Sequence, residues 1–523
     1  MPPFKPVVWH APVRLHETLY FFPHRYSGMN TANWLSRNVS RLLPAASAKQ
    51  KKADGSDAGA NEASRPPAGT VPKDPLLPRA TPMRLDATLC QEGEALSPRL
   101  LRRALQELQG IVDPRVSEVE GGRRAMEVAA WHQAAPLAQR HDLWLLMSEV
   151  FVADAQKTRD AQAKFAAAVG TLDEAAAEVH YRRATVSPRR RLLQRFSVYA
   201  EGVEFLVDLR AQMLPFLKGD KRLMALDVEL EYMFSTWFDV GFLDLRRISW
   251  DSPASLIEKL IKYEAVHDIK SWADVKNRLD SDRRCYGFFH PRLPDTPLIF
   301  VEVALVDAMA AGIMPLLDEQ AAAFDLERAT TAIFYSISNT QPGLRGVSFG
   351  DSLIKRVVET LKAEFPKLRV FATLSPIPGF RSWLVKNAQS MLDKLADKER
   401  SALGQAVGVH PVTPGGFLAA VENPLELPEK SPVRQLLLQC AAHYLGQGLK
   451  DAKPLDPVAR FHLGNGARVE RLNWAADPSP KGIKQSYGLM VNYLYDLKRL
   501  DKHRALLAQG KVPVATEVQD LYI

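Results

Sequence analysis

A glycine-containing segment, Asn339 to Gly350, joins a predicted strand to a predicted helix and has the character of an anion-binding loop. It carries Gly343, Gly346 and Gly350, which permit tight turns and a close approach of the backbone to a ligand. The first N–H groups of a helix have no partner within the helix, and the helix dipole adds positive potential at that end. A strand, loop and helix in this order therefore predict a phosphate or pyrophosphate site.

The sequence of the loop narrows the type of ligand. It lacks the Gly-Lys-Ser/Thr ending of a P-loop and the spacing of a dinucleotide fingerprint. The run Arg345-Gly346-Val347-Ser348-Phe349-Gly350 is similar to the Arg/Gln-x-x-Gly-x-Gly/Ala pyrophosphate loop of the acetyl-CoA-dependent N-acetyltransferase (GNAT) superfamily, with Ser348 in place of the first glycine. Asp351 in the first helical turn would compete with a phosphate unless its carboxylate turns away. Three glycines between a strand and a helix also fit ordinary turn geometry.

The charge of the chain suits a polyanionic ligand. Its 523 residues carry a net charge of +8, which by itself does not choose among nucleic acid, a membrane surface and a small molecule. The densest basic run, Arg189-Arg190-Arg191, leads into a helical apolar pattern, so we expect the solvated first turns of a helix. No nucleic-acid-binding motif accompanies it. Glu302 and Asp307 interrupt the best candidate for a membrane span. We expect a soluble, cytoplasmic protein with no nucleic-acid or membrane partner.

Cysteine usage and motif content indicate no structural metal site and no organic cofactor. Cys90, Cys285 and Cys440 lie far apart and without Cys/His spacing, which argues against a disulfide framework and against a structural zinc site. The chain has no signature of a biotin lysine, of pyridoxal phosphate or of a metal cluster. A reducing compartment fits this composition.

The first 82 residues do not have the composition of a packed domain. Residues 45–82 are rich in Ala, Ser, Pro, Gly and Lys and have almost no large apolar side chain. Residues 30–41 superficially resemble an organelle transit peptide, whereas a natural start at Met29 would make the first 28 residues an artefact of the reading frame. We expect residues 1–82 to be a disordered or non-native N-terminal extension.

The remaining chain divides by periodicity. Residues 83–247 have helical apolar spacing almost throughout and predict an all-α bundle. Residues 248–523 alternate strands and helices, with Ser252-Pro253 expected to cap a new helix. The fold class is therefore α+β, a helical-bundle domain followed by a mixed domain. Predicted strands are 285–290, 298–305, 332–338 and 369–374, and predicted helices include 256–263, 351–365 and 432–445.

Several blocks, taken in order, resemble the malonyl-CoA decarboxylase family. They are Ala332 to Ser338, the Gly-Leu-x-Gly-Val loop, Leu353 to Val358, Leu374-Ser375-Pro376-Ile377-Pro378-Gly379-Phe380, Phe461-His462-Leu463-Gly464-Asn465-Gly466-Ala467, and Gly488-Leu489-Met490 followed by Asn492-Tyr493-x-Tyr495. The resemblance extends more loosely from about residue 85 to 500. It implies an N-terminal helical domain used in self-association and a catalytic domain of GNAT-like fold.

The resemblance also implies the site residues. A serine and a histidine that are proposed to act on the malonyl carboxylate match Ser375 and His462, and a tyrosine near the site matches Tyr495. Some relatives carry an acidic residue where this chain has Ser348, so its role is open. The implied substrate-binding residues are Tyr495, Arg345, Gly346, Val347, Ser348 and Gly350.

Each implied catalytic residue also has an ordinary structural interpretation. Ser375 follows a predicted strand and can end it and cap the next turn. His462 lies in an apolar, strand-like run, where a histidine is usually a hydrogen-bonded core residue. Tyr495 can be an amphipathic core aromatic.

The activity implied by the resemblance is the conversion of malonyl-CoA to acetyl-CoA and CO2. In our hypothesis Ser375 contacts the carboxylate and His462 donates a proton, while the thioester itself accepts the electrons. An acyl-CoA-dependent acyltransferase on the same fold is the alternative, and a non-enzymatic CoA-binding protein ranks third. The expected partners are malonyl-CoA and further copies of the chain, as a dimer or tetramer through the helical domain.

Overall fold

The computed structural model describes residues 81–89, 95–347 and 353–523 of the chain. Residues Arg79–Ile523 form one compact unit. The predicted extension over residues 1–82 lies outside the described residues except for Thr81 and Pro82, which begin the helix Thr81–Asp86, with Thr81 buried. Cys90, Ser348, Gly350 and Asp351 also lie outside the described residues. Among the residues described, no helix is both long and apolar enough to cross a membrane.

The N-terminal part of the described chain is helical. Ser97, Ser117 and Asp154 begin three of its helices by accepting hydrogen bonds from the first free N–H groups. Apolar residues at helical spacing are buried, with Trp144 fully enclosed and donating through its indole Nε1 to His132 Nε2 at 2.9 Å. The helices are α1 Thr81–Asp86, α2 Pro98–Val112, α3 Glu118–Ala134, α4 Leu137–Glu149, α5 Ala155–Ala168, α6 Glu174–Thr185, α7 Pro188–Phe196, α8 Gly202–Met213 and α9 Met224–Trp237.

Helix α7 begins at the basic run as predicted, but the expected solvation is wrong for Arg189. This side chain is buried, and its guanidinium donates to the carbonyl oxygens of Met147, Ser148 and Ala225. A buried guanidinium is tolerated because backbone acceptors replace water around its N–H groups. Arg191 is exposed, as expected for the outer face of the helix.

A mixed sheet follows the helices. In the order β1-β2-β3-β4-β5-β10 the strands pair antiparallel except for the parallel pair β4–β5, and β10 also pairs antiparallel with β6 and β9. The strands are β1 Asp244–Ile248, β2 Arg283–His290, β3 Leu293–Val306, β4 Thr331–Asn339, β5 Val370–Thr373, β6 Ser375–Pro376, β7 Leu449–Lys450, β8 Lys453–Pro454, β9 Arg468–Asn473 and β10 Met490–Leu494. Strands β7 and β8 form a separate hairpin.

Helices connect and cover these strands. They are α10 Ala254–Tyr263, α11 Trp272–Arg278, α12 Met314–Leu317, α13 Leu353–Glu364, α14 Phe380–Asp393, α15 Asp397–Val407, α16 Pro414–Ala420, α17 Pro432–Gly446, α18 Pro457–Gly464, α19 Pro480–Ser486, α20 Leu500–Ala508 and α21 Thr516–Gln519. The four predicted strands and the three predicted helices are present in the described residues, so the α+β class with helices first and a mixed sheet second is confirmed. The predicted serine cap is wrong, because Pro253 is the N-cap of α10 and Ser252 Oγ accepts from Ser249 N.

The parallel pair β4–β5 opens toward the glycine loop. The two strands pair only from Thr331 with Val370 to Phe334 with Thr373. The ladder ends with one more hydrogen bond, from Leu374 N to Phe334 O. Strand β4 continues beyond this point to Asn339 without β5 as a partner. The sheet therefore leaves a gap beside the second half of β4, at the end where β4 enters the predicted anion-binding loop.

The helices and the sheet share one hydrophobic core. Phe205 and Leu206 of α8 belong to the same buried cluster as Phe334 of β4 and Phe371 of β5. A shared core fixes the helical part against the sheet, since displacing one would expose apolar surface of the other. Tyr493 and Tyr495, which contact the predicted catalytic residue His462, belong to the same cluster.

Candidate active site

Ser375 is held where β5 and β6 run beside β10. Leu494 lies opposite Ala372 and Val491 opposite Ser375, so both short strands keep a single register with β10. Between these pairs, side chains take over the hydrogen bonding. Tyr493 N donates to Thr373 Oγ1 at 3.1 Å, and Asn492 Nδ2 donates to Thr373 O at 2.7 Å. The backbone around Ser375 is thus fixed on both sides.

His462 lies in helix α18, so the strand-like interpretation of its surroundings is wrong. The helix begins with Asp456 as N-cap, whose carboxylate accepts from Val458 N and Ala459 N, and with Pro457 in its first turn. Aspartate followed by proline is a strong start signal, and it outweighs the apolar composition of so short a segment.

The same aspartate ties the helix of His462 to the turn that follows Ser375. Asp456 Oδ2 accepts from Gly379 N at 3.2 Å and from Tyr444 Oη at 3.4 Å. Asp456 is almost fully buried, and burial raises the pKa of its carboxyl group above its ordinary value despite these donors. One carboxylate therefore fixes the separation between the segments that carry the two predicted catalytic residues.

Hydrogen bonds connect Ser375, His462 and Tyr495 in a chain. Ser375 Oγ lies 3.2 Å from His462 Nε2, and His462 Nδ1 lies 2.8 Å from Tyr495 Oη. Ser375 Oγ also donates to Thr373 Oγ1 at 2.8 Å. With that donor direction, Nε2–H donates to Ser375 Oγ and Tyr495 O–H donates to Nδ1. Every heteroatom in the chain then has a partner, and no charge is required.

Aromatic packing fixes the plane of the imidazole. The His462 ring stacks on the Tyr493 ring with centroids 4.7 Å apart and an angle of 27° between the planes. Tyr495, two residues further along the chain, meets the imidazole edge-on at 6.1 Å. Alternate residues of an extended segment point to the same side, so β10 and its continuation supply both contacts.

Burial controls the protonation states of His462 and Tyr495. Ser375 is 5% exposed and His462 is 3% exposed. Burial penalises the imidazolium cation and lowers the pKa of His462 to about 3, so the ring is neutral at physiological pH. Burial also raises the pKa of the Tyr495 phenol, which keeps its proton. The site can therefore relay protons between neutral groups.

The predicted substrate-binding residues fall into two groups. Tyr495 is buried beside His462, whereas Arg345 and Gly346 are exposed in the loop after β4, with Val347 buried next to them. Gly346 has a φ of +83°, which favours glycine. Ser348 and Gly350 lie outside the described residues. The hydrogen bonds found in the described part of the chain bring together Ser375, His462 and Tyr495 but do not connect them to Arg345, Gly346 or Val347.

Sequence reasoning missed Thr373 and Asp456. Thr373 lies two residues before Ser375 along an extended segment, so a side chain on the same side was foreseeable. Asp456 was detectable as an N-cap preceding Pro457. Neither pattern by itself predicts which distant segment the side chain meets. Within the described ranges, no group of three or more His, Cys, Asp or Glu side chains could hold a metal ion.

Solved malonyl-CoA decarboxylases share this fold. The crystal structure of the enzyme from Rhodopseudomonas palustris matches with a TM-score of 0.70 at 39% sequence identity, covering 80% of this chain and 99% of that one. The enzyme from Cupriavidus metallidurans matches with a TM-score of 0.66 at 43% identity, covering 81% of this chain and 100% of that one.

Sequence comparison identifies the family. The family described as malonyl-CoA decarboxylase C-terminal domain matches residues 241–522, and that described as malonyl-CoA decarboxylase N-terminal domain matches residues 151–238. "Malonyl-CoA decarboxylase, mitochondrial" of Anser anser anser is 33% identical over 432 residues, 79% of this chain and 85% of that protein. The chain belongs to the malonyl-CoA decarboxylase family, and its activity is the decarboxylation of malonyl-CoA. The resemblance and the enzyme class predicted from the sequence are confirmed.

Thr373→Val should lower kcat by roughly 10-fold, because Ser375 Oγ loses its acceptor and its orientation. The buried N–H of Tyr493 also loses a partner, which lowers the free energy of unfolding by about 1–3 kcal/mol. Thr373→Ser keeps the hydroxyl, so its kcat and its free energy of unfolding should both be close to those of the parent. Steady-state kinetics and denaturant unfolding on the same preparations check this, and a valine variant with the kcat of the parent contradicts the role of Thr373.

The neutral state of His462 predicts a pH dependence of stability. A folded-state pKa near 3, below the ordinary 6.5, means that the unfolded chain binds the proton first as pH falls. The stability that neutral His462 contributes is therefore complete above pH 6.5, decreases by about 1.4 kcal/mol per pH unit as pH falls from there, and levels off below the folded-state pKa of about 3. The unfolding free energy of the parent minus that of His462→Gln should follow this course. A difference that grows as pH falls would indicate a stabilised imidazolium instead.

Proposed function

We propose that Ser375 and His462 are the catalytic pair that decarboxylates malonyl-CoA. The observation that carries this proposal is the 3.2 Å contact between Ser375 Oγ and His462 Nε2 in a buried site, although 87 positions separate the residues in sequence. A serine at the end of a strand and a histidine in a distant helix would not need a shared hydrogen-bond chain for packing alone.

The proposed substrate pose follows the opening of the sheet. The CoA phosphates bind at the loop that begins with Arg345 and Gly346, and the pantetheine arm lies in the gap between β4 and β5. Support comes from the early end of the β4–β5 ladder and from Ser375, which lies just beyond β5. Exposed Arg345 adds positive charge on the outer side of the loop. The malonyl group then reaches Ser375 at the inner end of the gap.

The first chemical step breaks the bond between the malonyl carboxylate and the α-carbon. Its electron pair moves toward the thioester carbonyl and gives an enolate, while the carboxylate leaves as CO2. When the substrate binds, Ser375 O–H turns from Thr373 Oγ1 to the carboxylate and orients it out of the thioester plane. Because the site is buried, a localised carboxylate is poorly solvated there, which favours conversion to neutral CO2 and a delocalised enolate.

The second step protonates the α-carbon of the enolate. Ser375 O–H gives its proton to carbon, His462 Nε2–H replaces that proton, and Tyr495 O–H replaces the proton of His462 at Nδ1. The α-carbon of a thioester enolate is a much stronger base than a phenolate oxygen, so the net proton transfer from Tyr495 to carbon is downhill despite the raised pKa of Tyr495. His462 acts as a neutral proton carrier, because its pKa of about 3 leaves little imidazolium at pH 7. After the products leave, Nδ1–H returns its proton to the Tyr495 phenolate while water that enters the emptied site protonates Nε2, which restores the starting state and leaves hydroxide.

Ser375→Ala and His462→Gln should each lower kcat by on the order of 10² to 10⁴ while CoA-ester binding is largely retained. The double variant should show less than the product of the two effects, since both groups act on one transition state. The measurement is acetyl-CoA and CO2 formation, run with and without an amine acceptor, together with calorimetric binding of acetyl-CoA. Acylated amine in place of CO2 would identify an acyltransferase.

The matched control for this experiment is His132→Gln. His132 is buried and accepts a hydrogen bond from Trp144, and burial lowers its pKa to about 4, but it lies in the helical part of the chain. Its replacement should lower the melting temperature and leave kcat of the folded protein unchanged. If His462→Gln behaves in the same way, His462 is a core residue and the catalytic assignment is wrong.

We also propose a cytoplasmic homo-oligomer that acts in fatty acid metabolism, the pathway class in which malonyl thioesters are made and consumed. The two described cysteines are unpaired and buried, which suits a reducing compartment. Support for self-association comes from the α5–α6 hairpin, where α6 has no buried residue. Val169, Leu172 and Val179 are exposed there. A second copy of the chain is the proposed partner of this apolar surface.

The native mass should correspond to a dimer or tetramer of the 58.3 kDa chain. Leu172→Asp combined with Val179→Asp should shift the mass toward the monomer, because a charge in an apolar contact is poorly solvated. Light scattering after size-exclusion chromatography measures this. Val228 of α9, an exposed valine outside this hairpin, provides the control position. A parent that is monomeric at micromolar concentration contradicts the proposal.

A further inference from the structure

A buried arginine of the helical region contacts the loop that follows β4. Arg210 of α8 is 2% exposed, and its Nη1 donates to Gly343 O at 2.7 Å and to Arg345 O at 2.9 Å. One guanidinium nitrogen therefore holds two carbonyl oxygens of the loop. The contact joins positions 133 and 135 residues apart in sequence.

Acidic neighbours orient the guanidinium. Asp227 Oδ1 accepts from Arg210 Nε at 2.8 Å, and Glu231 Oε2 lies 3.7 Å from Nη2. These carboxylates offset the positive charge of the arginine, so Arg210 adds little field for a distant anion. Its effect on the loop is therefore mainly geometric.

The loop backbone also packs directly on α8. A Cβ at Gly343 would lie 1.9 Å from Val207 O, so only glycine allows this approach. Leu344 is fully buried beneath the loop. The inner side of the loop is thus fixed to the helical region, while Arg345 and Gly346 are exposed on the other side.

The planarity of the peptide bond links the direction of a carbonyl on the inner side of the loop to that of an N–H group on its outer side. In a trans peptide the N–H of one residue points opposite to the carbonyl of the residue before it. Because Arg345 O points to Arg210, the N–H of Gly346 points away from α8, toward the exposed side. The φ of +83° at Gly346 keeps the chain in this turn. The arginine thus sets the direction of a donor suited to a phosphate oxygen.

We propose that Arg210 is a positioning residue for the phosphate groups of the CoA ester, which makes the helical region part of the substrate site. This inference rests on the proposed binding of CoA phosphates at the loop. Arg210 does not touch the ligand; it holds Gly343 O and Arg345 O inward so that the outer N–H group is presented to a phosphate. It plays no part in the chemistry at Ser375.

Kinetics with two substrates test the proposal. Malonyl-CoA carries the phosphates, whereas malonyl-pantetheine carries the same reactive thioester without them. Arg210→Met should raise KM for malonyl-CoA by about 10-fold with kcat within about 2-fold of the parent, and should leave kcat/KM for malonyl-pantetheine within about 2-fold. Arg210→Lys, which cannot reach Asp227 and both carbonyls together, should also raise KM for malonyl-CoA.

Two further variants separate positioning from folding. Arg189→Met removes another buried arginine that donates to backbone carbonyls, but without contact to the loop. It should lower the melting temperature and leave the ratio of the two KM values unchanged. Gly343→Ala keeps Arg210 and displaces the loop, so it should reproduce the selective rise in KM for malonyl-CoA even if Arg210→Met does not fold.

The outcomes distinguish this inference from the proposed function. If the parent prefers malonyl-CoA and both Arg210→Met and Gly343→Ala keep that preference, the positioning role is wrong and the phosphate site stands. If either variant loses activity equally on both substrates, its effect is structural, which also overturns the inference. If the parent uses both substrates equally well, the phosphate site itself is wrong and the inference fails with it.

Discussion

The antiparallel register between β10 and the segment containing β5 and β6 is the constraint on which the active site depends. It places Tyr493 beside Thr373, 120 positions earlier in the chain, and Val491 opposite Ser375. A slip of one residue would turn the Tyr493 and Tyr495 side chains to the other face of the sheet and remove both contacts to the imidazole. Where the regular ladder is interrupted, two hydrogen bonds fix the register: Tyr493 N donates to the Thr373 hydroxyl, and the Asn492 side chain donates to Thr373 O. The chemistry therefore depends on strand pairing as much as on the reactive residues.

Burial gives this arrangement its chemical character. A solvated histidine near pH 7 exchanges protons with water, whereas His462 has its nearest polar partners in Ser375 and Tyr495. In the mechanism that we propose, the same burial that keeps the imidazole neutral destabilises a localised malonyl carboxylate and favours CO2. A charged general acid would have been stabilised by the departing carboxylate and would have held it in place. A chain of neutral donors would avoid that ion pair and still deliver a proton to carbon.

The fold was largely predictable from the sequence, and the site only in part. Helical spacing is a local signal that the tertiary structure reinforces as far as Trp237, although β1 Asp244–Ile248 begins within the range 83–247 that was predicted to be helical. The β-branched run 332–338 is another such signal. The prediction for the segment around His462 was wrong, because eight residues are too few for apolar periodicity to distinguish a helix from a strand. The N-cap Asp456 and Pro457 in the first turn are the signals that indicate a helix. Ser375 and His462 came from family resemblance. Their hydrogen bond depends on pairing between distant segments, which no local pattern encodes.

The energetics of burial indicate why Arg210, which is buried and paired with the partly buried Asp227, lies between the helices and the loop. Taking Arg210 and Asp227 out of water opposes folding, and replacement of such pairs by apolar side chains is often neutral or stabilising. Stability alone therefore gives little reason for an arginine here. An apolar side chain of similar size could fill the space under the loop, but it could not bind the carbonyl oxygens of Gly343 and Arg345. What the guanidinium adds is a fixed direction for two peptide groups at the entrance to the site. In the function that we propose, the helical region orients the loop at the outer end of the gap, and the sheet orients the proton relay at its inner end.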